Sequence, residues 1–321
     1  MSKPDILIPS PLRDMIIDGL EPHFTLHKLY EAEDAEAFLK EREAIIRGIA
    51  VSFFHVDQPF IDRFPNLEIV SNFGVGYDKV DARHCGTRGI IVTNTPDVLS
   101  EEVADTAIGL MIMTIRELSA AERWLRDGNW EKKGAYRLTP GTLRGRTLGI
   151  FGLGRIGKAI ATRAEAFGMS VHYHGRTQQA GVDYTYHPSL VSLAEAVDTL
   201  MIVAPGGPET QHMVGERVLE VLGPDGVLIN IGRGSVVNET ALIEALKRGT
   251  IMAAGLDVFE HEPHVPQALQ DLPNAVLLPH VGSASVATRD AMGQLVVDNL
   301  KSWFSTGKPV TPVAETPFPR T

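Results

Sequence analysis

The sequence predicts an α/β protein built from doubly wound parallel sheets, and three observations carry that expectation. Short apolar runs alternate with helical periodicity along almost the whole chain, the pattern of strands covered on both faces by crossover helices. The stretch from Leu148 to Thr177 reads as strand, glycine turn, helix, strand, with Gly152-Leu-Gly154-Arg155-Ile156-Gly157 at the turn. The six strand-like runs from residue 148 onward match the count of a dinucleotide-binding sheet.

In the first hundred residues, strands are expected at 6–8, 48–52, 67–70 and 90–93, each a short run rich in Ile, Val or Leu. Helical patterns fall between them, one of them over 34–46. Ser100 reads as an N-cap, with Glu101 and Glu102 well placed against the helix dipole. The helix it opens is expected to run from Val103 to Arg126 and stop at Asp127-Gly128. Its residues 107–113 are apolar nearly all round, so burial is expected, between domains or at a dimer interface. The second block places strands at 148–151, 171–173, 200–203, 227–230, 253–256 and 276–278. Helices are expected at 158–167, ending at Gly168, and at 240–248, closed by Gly249. A last helix over 286–304 precedes a Pro-rich tail and is expected to cross back to the first domain. That return makes the first domain discontinuous, 1–98 with 286–321, around a second domain at 99–285, and the two crossings act as a hinge.

Each glycine of the turn has a physical task. Gly152 allows the tight bend, Gly154 lets the backbone approach a pyrophosphate, and Gly157 lets the helix pack on the strand. The helix N-terminus offers unpaired N–H groups and the positive end of its dipole to the phosphates. A site for NAD places Asp or Glu after the second strand, on the ribose 2′-hydroxyl. Here the sequence is His174-Gly175-Arg176-Thr177. No carboxylate is present to repel a 2′-phosphate, and Arg176 is there to pair with one. NADP(H) is therefore the expected cofactor and NAD(H) the weaker one.

Composition narrows the classes further. A chain of 321 residues suggests about two domains. A net charge of −10 argues against nucleic acid and anionic membranes as partners. The single Cys85 excludes an intrachain disulfide, fits a reducing compartment, and reads as a bystander thiol. The N-terminal apolar run is too short for a signal peptide, and no run is long and apolar enough to span a bilayer. A cytoplasmic protein is expected.

Three features downstream follow candidate strands, where open α/β sheets bind ligands. The first is Arg233 in Ile231-Gly232-Arg233-Gly, whose planar fork suits a carboxylate and carbonyl. The second is Glu262 in Phe259-Glu-His-Glu262-Pro263, and the third is His280 in Pro279-His280-Val-Gly-Ser283. A histidine beside a carboxylate serves as acid in a reduction and base in an oxidation. Alone, each of the three would read as structural; their order and placement favour a catalytic set.

With these motifs in place, the chain resembles the D-isomer-specific 2-hydroxyacid dehydrogenase family over nearly its full length. The matching stretches are residues 72–81, 152–157, 230–234, 255–263 and 279–283. The resemblance implies two Rossmann-like domains with an active-site cleft between them: a substrate-binding domain from 1–98 and 286–321, and an NAD(P)-binding domain from 99–285. It implies that Arg233 binds the substrate carboxylate and carbonyl, that His280 transfers the proton, and that Glu262 pairs with His280. The backbone N–H groups of Val75 and Gly76 would receive the carboxylate, and Asp257 would hold the nicotinamide carboxamide. Cofactor contacts are expected from Gly152, Gly154, Arg155, Ile156, Gly157, Gly175, Arg176, Thr177, Ala204, Pro205, Thr210, Ile231, Gly232, Asp257 and Ser283. Within the family the chain is most similar to NADPH-dependent glyoxylate and hydroxypyruvate reductases and close to hydroxyphenylpyruvate reductases. A homodimeric oxidoreductase acting on a small 2-oxoacid follows, and an aromatic 2-oxoacid is the alternative substrate.

Other features weigh less. His172 and His174 alternate on a strand, which accounts for them without a metal, and Pro263 between His261 and His264 forbids helical ligand spacing. No metal is expected. Trp130 reads either as an aromatic anchor or as a residue that reaches a partner subunit's active site. A reading of another class, a nicotinamide-nucleotide-sensing scaffold akin to the corepressors of this family, keeps the same triad, although the chain lacks extended low-complexity tails. A Rossmann methyltransferase does not explain Arg233, Glu262 and His280 in that order.

Overall fold

The computed structural model describes residues 3–319. The chain divides into two compact units, 1–99 with 285–321, and 100–284. Each is an α/β unit around one parallel sheet.

The first unit holds β1 (Asp5–Ile8), β2 (Thr25–Lys28), β3 (Ile46–Val51), β4 (Ile69–Asn72) and β5 (Ile91–Thr93). All pairings are parallel, in the order β2-β1-β3-β4-β5. Ile6, Leu7 and Ile8 of β1 and Ile46, Ile49, Ala50 and Val51 of β3 are fully buried, as strands covered on both faces must be, while Arg47 alone in β3 is exposed. The helix Val286–Thr306 belongs to this unit, capped by the Ser285 hydroxyl, which accepts the Thr288 N–H. It lays Val296, Val297 and Leu300 against Ile6, Ile69 and the helix Asp14–Leu20. Two expectations change here. The edge strand β2 is an addition: its four residues, Thr-Leu-His-Lys, are partly exposed and give no apolar run. The helix expected over 34–46 is only Ala35–Lys40, with Asp34 accepting the N–H groups of Glu36 and Ala37. The chain then turns, because Ile46 is taken fully buried into β3.

The second unit holds β6 (Thr147–Phe151), β7 (Ser170–His174), β8 (Thr185–Tyr186), β9 (Thr199–Ile202), β10 (Val227–Asn230), β11 (Ala253–Leu256) and β12 (Ala275–Leu277). The sheet is parallel throughout, in the order β12-β11-β10-β9-β6-β7-β8. Strand order reverses at β6, so the switch point lies where β6 and β9 run side by side, beside the glycine turn that follows β6. β8 is a further strand beyond the expected six, two residues long at the edge.

The long helix expected to run to Arg126 breaks instead. It spans Ser100–Ile115, with Ser100 as its first residue rather than its cap. Glu117 adopts a left-handed conformation (φ 51°), and a second helix covers Leu118–Arg126. The buried apolar face ends at Ile115, and Leu118–Arg126 buries no residue at all. Glu117 is held in its unusual conformation by the Tyr136 hydroxyl and the Arg137 guanidinium, at 2.8 and 2.6 Å.

Candidate active site

The glycine turn has the geometry its spacing requires. Gly152 sits at φ 103°, and a Cβ there would lie 2.7 Å from the Ala204 backbone nitrogen. A Cβ on Gly157 would lie 2.4 Å from the Gly152 carbonyl oxygen, so helix and turn pack backbone to backbone. The space beside Gly154 is open for 4 Å. The helix that begins there, Arg155–Ala166, has no side chain capping its N-terminus. Such a cradle, a helix N-terminus with no capping side chain and room for close approach, fits a dinucleotide pyrophosphate. Arg155 is exposed and Ile156 half-buried at its mouth. Ala204 is buried and Pro205 exposed in the loop after β9. Thr210 spends its hydroxyl inside that loop, donating to the Pro205 carbonyl at 2.7 Å.

At the end of β7, Arg176 and Thr177 are exposed, and Arg176 makes no ion pair with a described residue. Nothing lies within 4 Å of where a Gly175 Cβ would be. The neighbouring histidines bond among themselves. His172 Nδ1 lies 3.0 Å from His187 Nε2, and His174 Nδ1 lies 2.9 Å from the His187 carbonyl, to which it donates. Burial, with the charge of His187 second, holds His172 below the usual imidazole range. Among the described residues, no group of three or more His, Cys, Asp or Glu is arranged to hold a metal.

Arg233, Glu262 and His280 are brought together in the second unit. Asn230, at the end of β10, braces the arginine turn: its Oδ1 accepts the Gly232 N–H at 3.1 Å and its Nδ2 donates to the Arg233 carbonyl at 2.9 Å. Arg233 Nη1 donates back to the Gly232 carbonyl at 2.8 Å, and Ile231 beside it is buried. Gly234 fixes the next contact. A Cβ there would fall 1.8 Å from the Phe259 carbonyl carbon, so the strand of chain leading to Glu262 lies directly on this turn. Glu262 Oε1 accepts the Phe259 N–H at 3.0 Å, and Oε2 lies 2.8 Å from His280 Nδ1. Both side chains are accessible, His280 at 31% and Glu262 at 27%. Burial pushes Glu262 upward, but the hydrogen bond and charge of His280, the Phe259 N–H and the charge of Arg233 outweigh it, and its pKa lies below the ordinary glutamate value.

His280 has a left-handed backbone (φ 53°), a conformation that needs support in a non-glycine residue. Asp257 provides it. Its two carboxylate oxygens accept the Val281 and Gly282 N–H groups at 2.7 and 2.8 Å, and its carbonyl accepts the His280 N–H at 2.8 Å. Asp257 is 1% exposed, and burial raises its pKa despite the two N–H groups. The structure thus puts the carboxylate to work in the protein's own turn. Ser283, just beyond, is buried.

Four residues brace this site: Asn230 and Gly234, which lie in the matching stretch 230–234 without an assigned role, and Glu239 and His212, which no motif marks. Glu239 accepts the Glu260 N–H at 2.7 Å, and His212 Nε2 pairs with the Glu260 carboxylate. The Asn at a strand end and the second glycine of Gly-Arg-Gly were the available signals; His212 and Glu239 had none. In the first unit, Val75 and Gly76 lie in the loop after β4, where Asn72 Nδ2 donates to the Gly76 carbonyl at 3.0 Å and Asn94 Nδ2 donates to the Val75 carbonyl at 2.8 Å. No hydrogen bond to a described residue uses their N–H groups. Cys85 is fully buried, and burial pushes its thiol up to about 12, which leaves it protonated and inert. Trp130 is 62% exposed on the short helix Asn129–Lys133. No helix among the described residues is long and apolar enough to cross a membrane.

Comparison with known proteins agrees with this geometry. The D-isomer specific 2-hydroxyacid dehydrogenase NAD binding domain matches residues 108–282. The glyoxylate/hydroxypyruvate reductase A of Arabidopsis thaliana is 46% identical over 309 residues, 96% of this chain and 98% of that protein. The hydroxyphenylpyruvate reductase of Plectranthus scutellarioides is also 46% identical, over 310 residues with the same coverage. Among solved structures, the NADPH-dependent glyoxylate/hydroxypyruvate reductase SmGhrB of Sinorhizobium meliloti, in complex with NADP and malonate, superposes with a TM-score of 0.93 at 55% identity, covering 100% of this chain and 99% of that one. By its matched domain and these likenesses, the chain belongs to the D-isomer-specific 2-hydroxyacid dehydrogenase family.

Proposed function

We propose that this protein is an NADPH-dependent reductase of small 2-oxoacids, glyoxylate and hydroxypyruvate, giving the D-2-hydroxyacid. The observation that carries the reading is the His280–Glu262 contact at 2.8 Å, set on the turn after β12 in the same unit as the glycine cradle. The likeness to SmGhrB, whose structure contains NADP, supports the choice of cofactor. The unit 100–284 would bind the cofactor, and the unit of 1–99 with 285–321 would bind the substrate, with Val75 and Gly76 N–H groups receiving its carboxylate.

Gly152, Gly154 and Gly157 would admit the pyrophosphate, and Arg176 with Thr177 would take the 2′-phosphate. When bound, the reduced nicotinamide supplies a hydride. The remaining chemistry belongs to the chain. Arg233 orients the carboxylate and carbonyl of the oxoacid and stabilises the negative charge that develops on oxygen. Glu262 holds the proton on His280 Nδ1, which leaves Nε2 to give a proton to the carbonyl oxygen in reduction and to take it back in oxidation. Asp257 holds the His280 turn in place. The protein is further read as a cytoplasmic homodimer without nucleic-acid partners.

The test is a panel of initial rates with glyoxylate, hydroxypyruvate, hydroxyphenylpyruvate, phenylpyruvate and pyruvate against NADPH and NADH. Highest kcat/KM for glyoxylate or hydroxypyruvate with NADPH is expected. An aromatic oxoacid leading the panel would move the protein to the class of its hydroxyphenylpyruvate-reducing relative. No turnover with any of them would favour a nucleotide-sensing role.

A further inference from the structure

We propose that Gln179 is a positioning residue for cofactor choice, holding the Arg176–Thr177 turn in register with the glycine turn. The proposal rests on the NADPH reading above and goes beyond it by naming what aims the guanidinium. The turn after β7 is pinned at both ends. At its far end, the Gln179 backbone N–H donates to the Tyr173 hydroxyl at 2.8 Å. The Gln179 side chain reaches further, and its Nε2 donates to the Leu153 carbonyl at 2.7 Å. Leu153 is the residue between Gly152 and Gly154, so one amide ties the turn after β7 to the turn after β6. At the near end, the Tyr186 hydroxyl lies 3.5 Å from the Gly175 carbonyl. Tyr173, which anchors the far end, is 1% exposed and therefore a fixed point. Between the pins, the side chains of Arg176 and Thr177 are exposed.

Ordering of the turn decides the energetics. A single exposed guanidinium–phosphate contact gains little when a mobile loop must be immobilised to make it. A loop already fixed against the glycine turn has met most of that cost before the ligand arrives. The Gln179 amide supplies the fixing bond, and it does so relative to the turn that would receive the pyrophosphate. The distance between the pyrophosphate cradle and the 2′-phosphate reader is thereby set by the protein. Removing the amide should weaken recognition of a 2′-phosphate selectively. A ligand that lacks the 2′-phosphate draws nothing from the Arg176 guanidinium and should be nearly indifferent.

The experiment is calorimetric titration of the full chain with adenosine 2′,5′-bisphosphate and with adenosine 5′-monophosphate. Gln179→Met keeps the length of the side chain and deletes its donor. It should weaken the bisphosphate about fivefold and the monophosphate less than about twofold, the size of effect a lost preorganising bond gives. In an Arg176→Ala, Thr177→Ala background the same change should have no further selective effect, because both residues being aimed are gone. Tyr173→Phe, which removes the other pin, should give the same selective pattern. In turnover, the NADPH-to-NADH ratio of kcat/KM should fall by the same factor through the cofactor KM, with kcat unchanged. Equal weakening of both ligands, no weakening, or a selective effect that persists without Arg176 and Thr177 would each overturn the role of Gln179. A wild-type chain that binds the two ligands equally would overturn the NADPH reading itself, and that result is read before any variant is made.

Discussion

His280 Nδ1 faces Glu262 at 2.8 Å, and under the proposed function this leaves Nε2 as the nitrogen for the substrate. His280→Ala is therefore expected to lower turnover about 10²- to 10⁴-fold, the range for loss of a general acid. Nucleotide affinity should change little, and a titration beside the rate measurement separates the two. Glu262 also leaves a mark on stability. Its folded pKa lies below the ordinary glutamate value, so its ionised form is favoured by folding. That contribution is fully present above about pH 4.3, the unfolded value, and is lost as pH falls through the folded pKa. Wild type should therefore exceed Glu262→Gln in urea stability near neutrality, and the gap should close as the solution is acidified. A gap that stays constant with pH would assign the difference to packing. The third residue-scale expectation is cofactor inversion. The space beside Gly175 is open, so an aspartate fits there without displacing a neighbour. Gly175→Asp with Arg176→Ala adds repulsion to a 2′-phosphate and removes attraction, and the preference should pass from NADPH to NADH. Wild type should favour NADPH by at least about tenfold, equivalent to ~1.4 kcal/mol. Initial rates with both cofactors, for both proteins, check the sign.

At the scale of elements, the site is a stack of turns at the ends of adjacent strands, and Gly234 is where two of them touch. An added methyl at 1.8 Å from the Phe259 carbonyl carbon has no room, so the 259–262 segment has to move. Gly234→Ala is expected to cost about 1–3 kcal/mol or more in stability, as overpacking does. It should also lower kcat by shifting Glu262, while nucleotide binding at the glycine turn persists. Scanning calorimetry with a nucleotide titration checks both halves. What was legible in the sequence follows the same physics. Buried parallel strands such as β6, β9 and β10 announce themselves as apolar runs, and Gly152, Gly154 and Gly157 by their spacing. Edge strands β2 and β8 are short and partly polar, so no periodicity marks them. The break at Glu117 is set by Tyr136 and Arg137, some twenty residues ahead in sequence, and no local pattern carries it. Arg233, Glu262 and His280 were legible because their chemistry and order are distinctive. The Asp257 brace under His280 was not, because it acts through backbone N–H groups that any residue supplies.

At the scale of the whole molecule, residues 118–138 form a segment with little of its own surface covered by the rest of the chain. The helices Leu118–Arg126 and Asn129–Lys133 contain no buried residue. Yet the segment carries Leu118, Leu125, Trp130 and Leu138, exposed by 44%, 53%, 62% and 95%. Apolar side chains clustered along one stretch of sequence mark a surface that associates. The preceding helix, Ser100–Ile115, is packed against β10, β11 and the helix Arg155–Ala166, so the projecting segment has a rigid base. A second copy of the chain is the partner expected, through a two-fold contact of the cofactor-binding unit, since closed two-fold symmetry is the commonest arrangement of soluble oligomers. Light scattering at micromolar protein should give twice the mass of one chain. Leu125→Glu with Trp130→Glu places charge on this surface, where desolvating it is costly, and should shift the mass toward that of one chain. A wild type that scatters as a single chain would refute the dimer. A double variant that stays dimeric would move the interface elsewhere on the molecule. If the variant is monomeric, folded by circular dichroism and catalytically intact, the active site is complete within one chain. If it is folded but inactive, the 118–138 segment serves the site of the neighbouring subunit, and of the two readings of Trp130 the aromatic anchor falls.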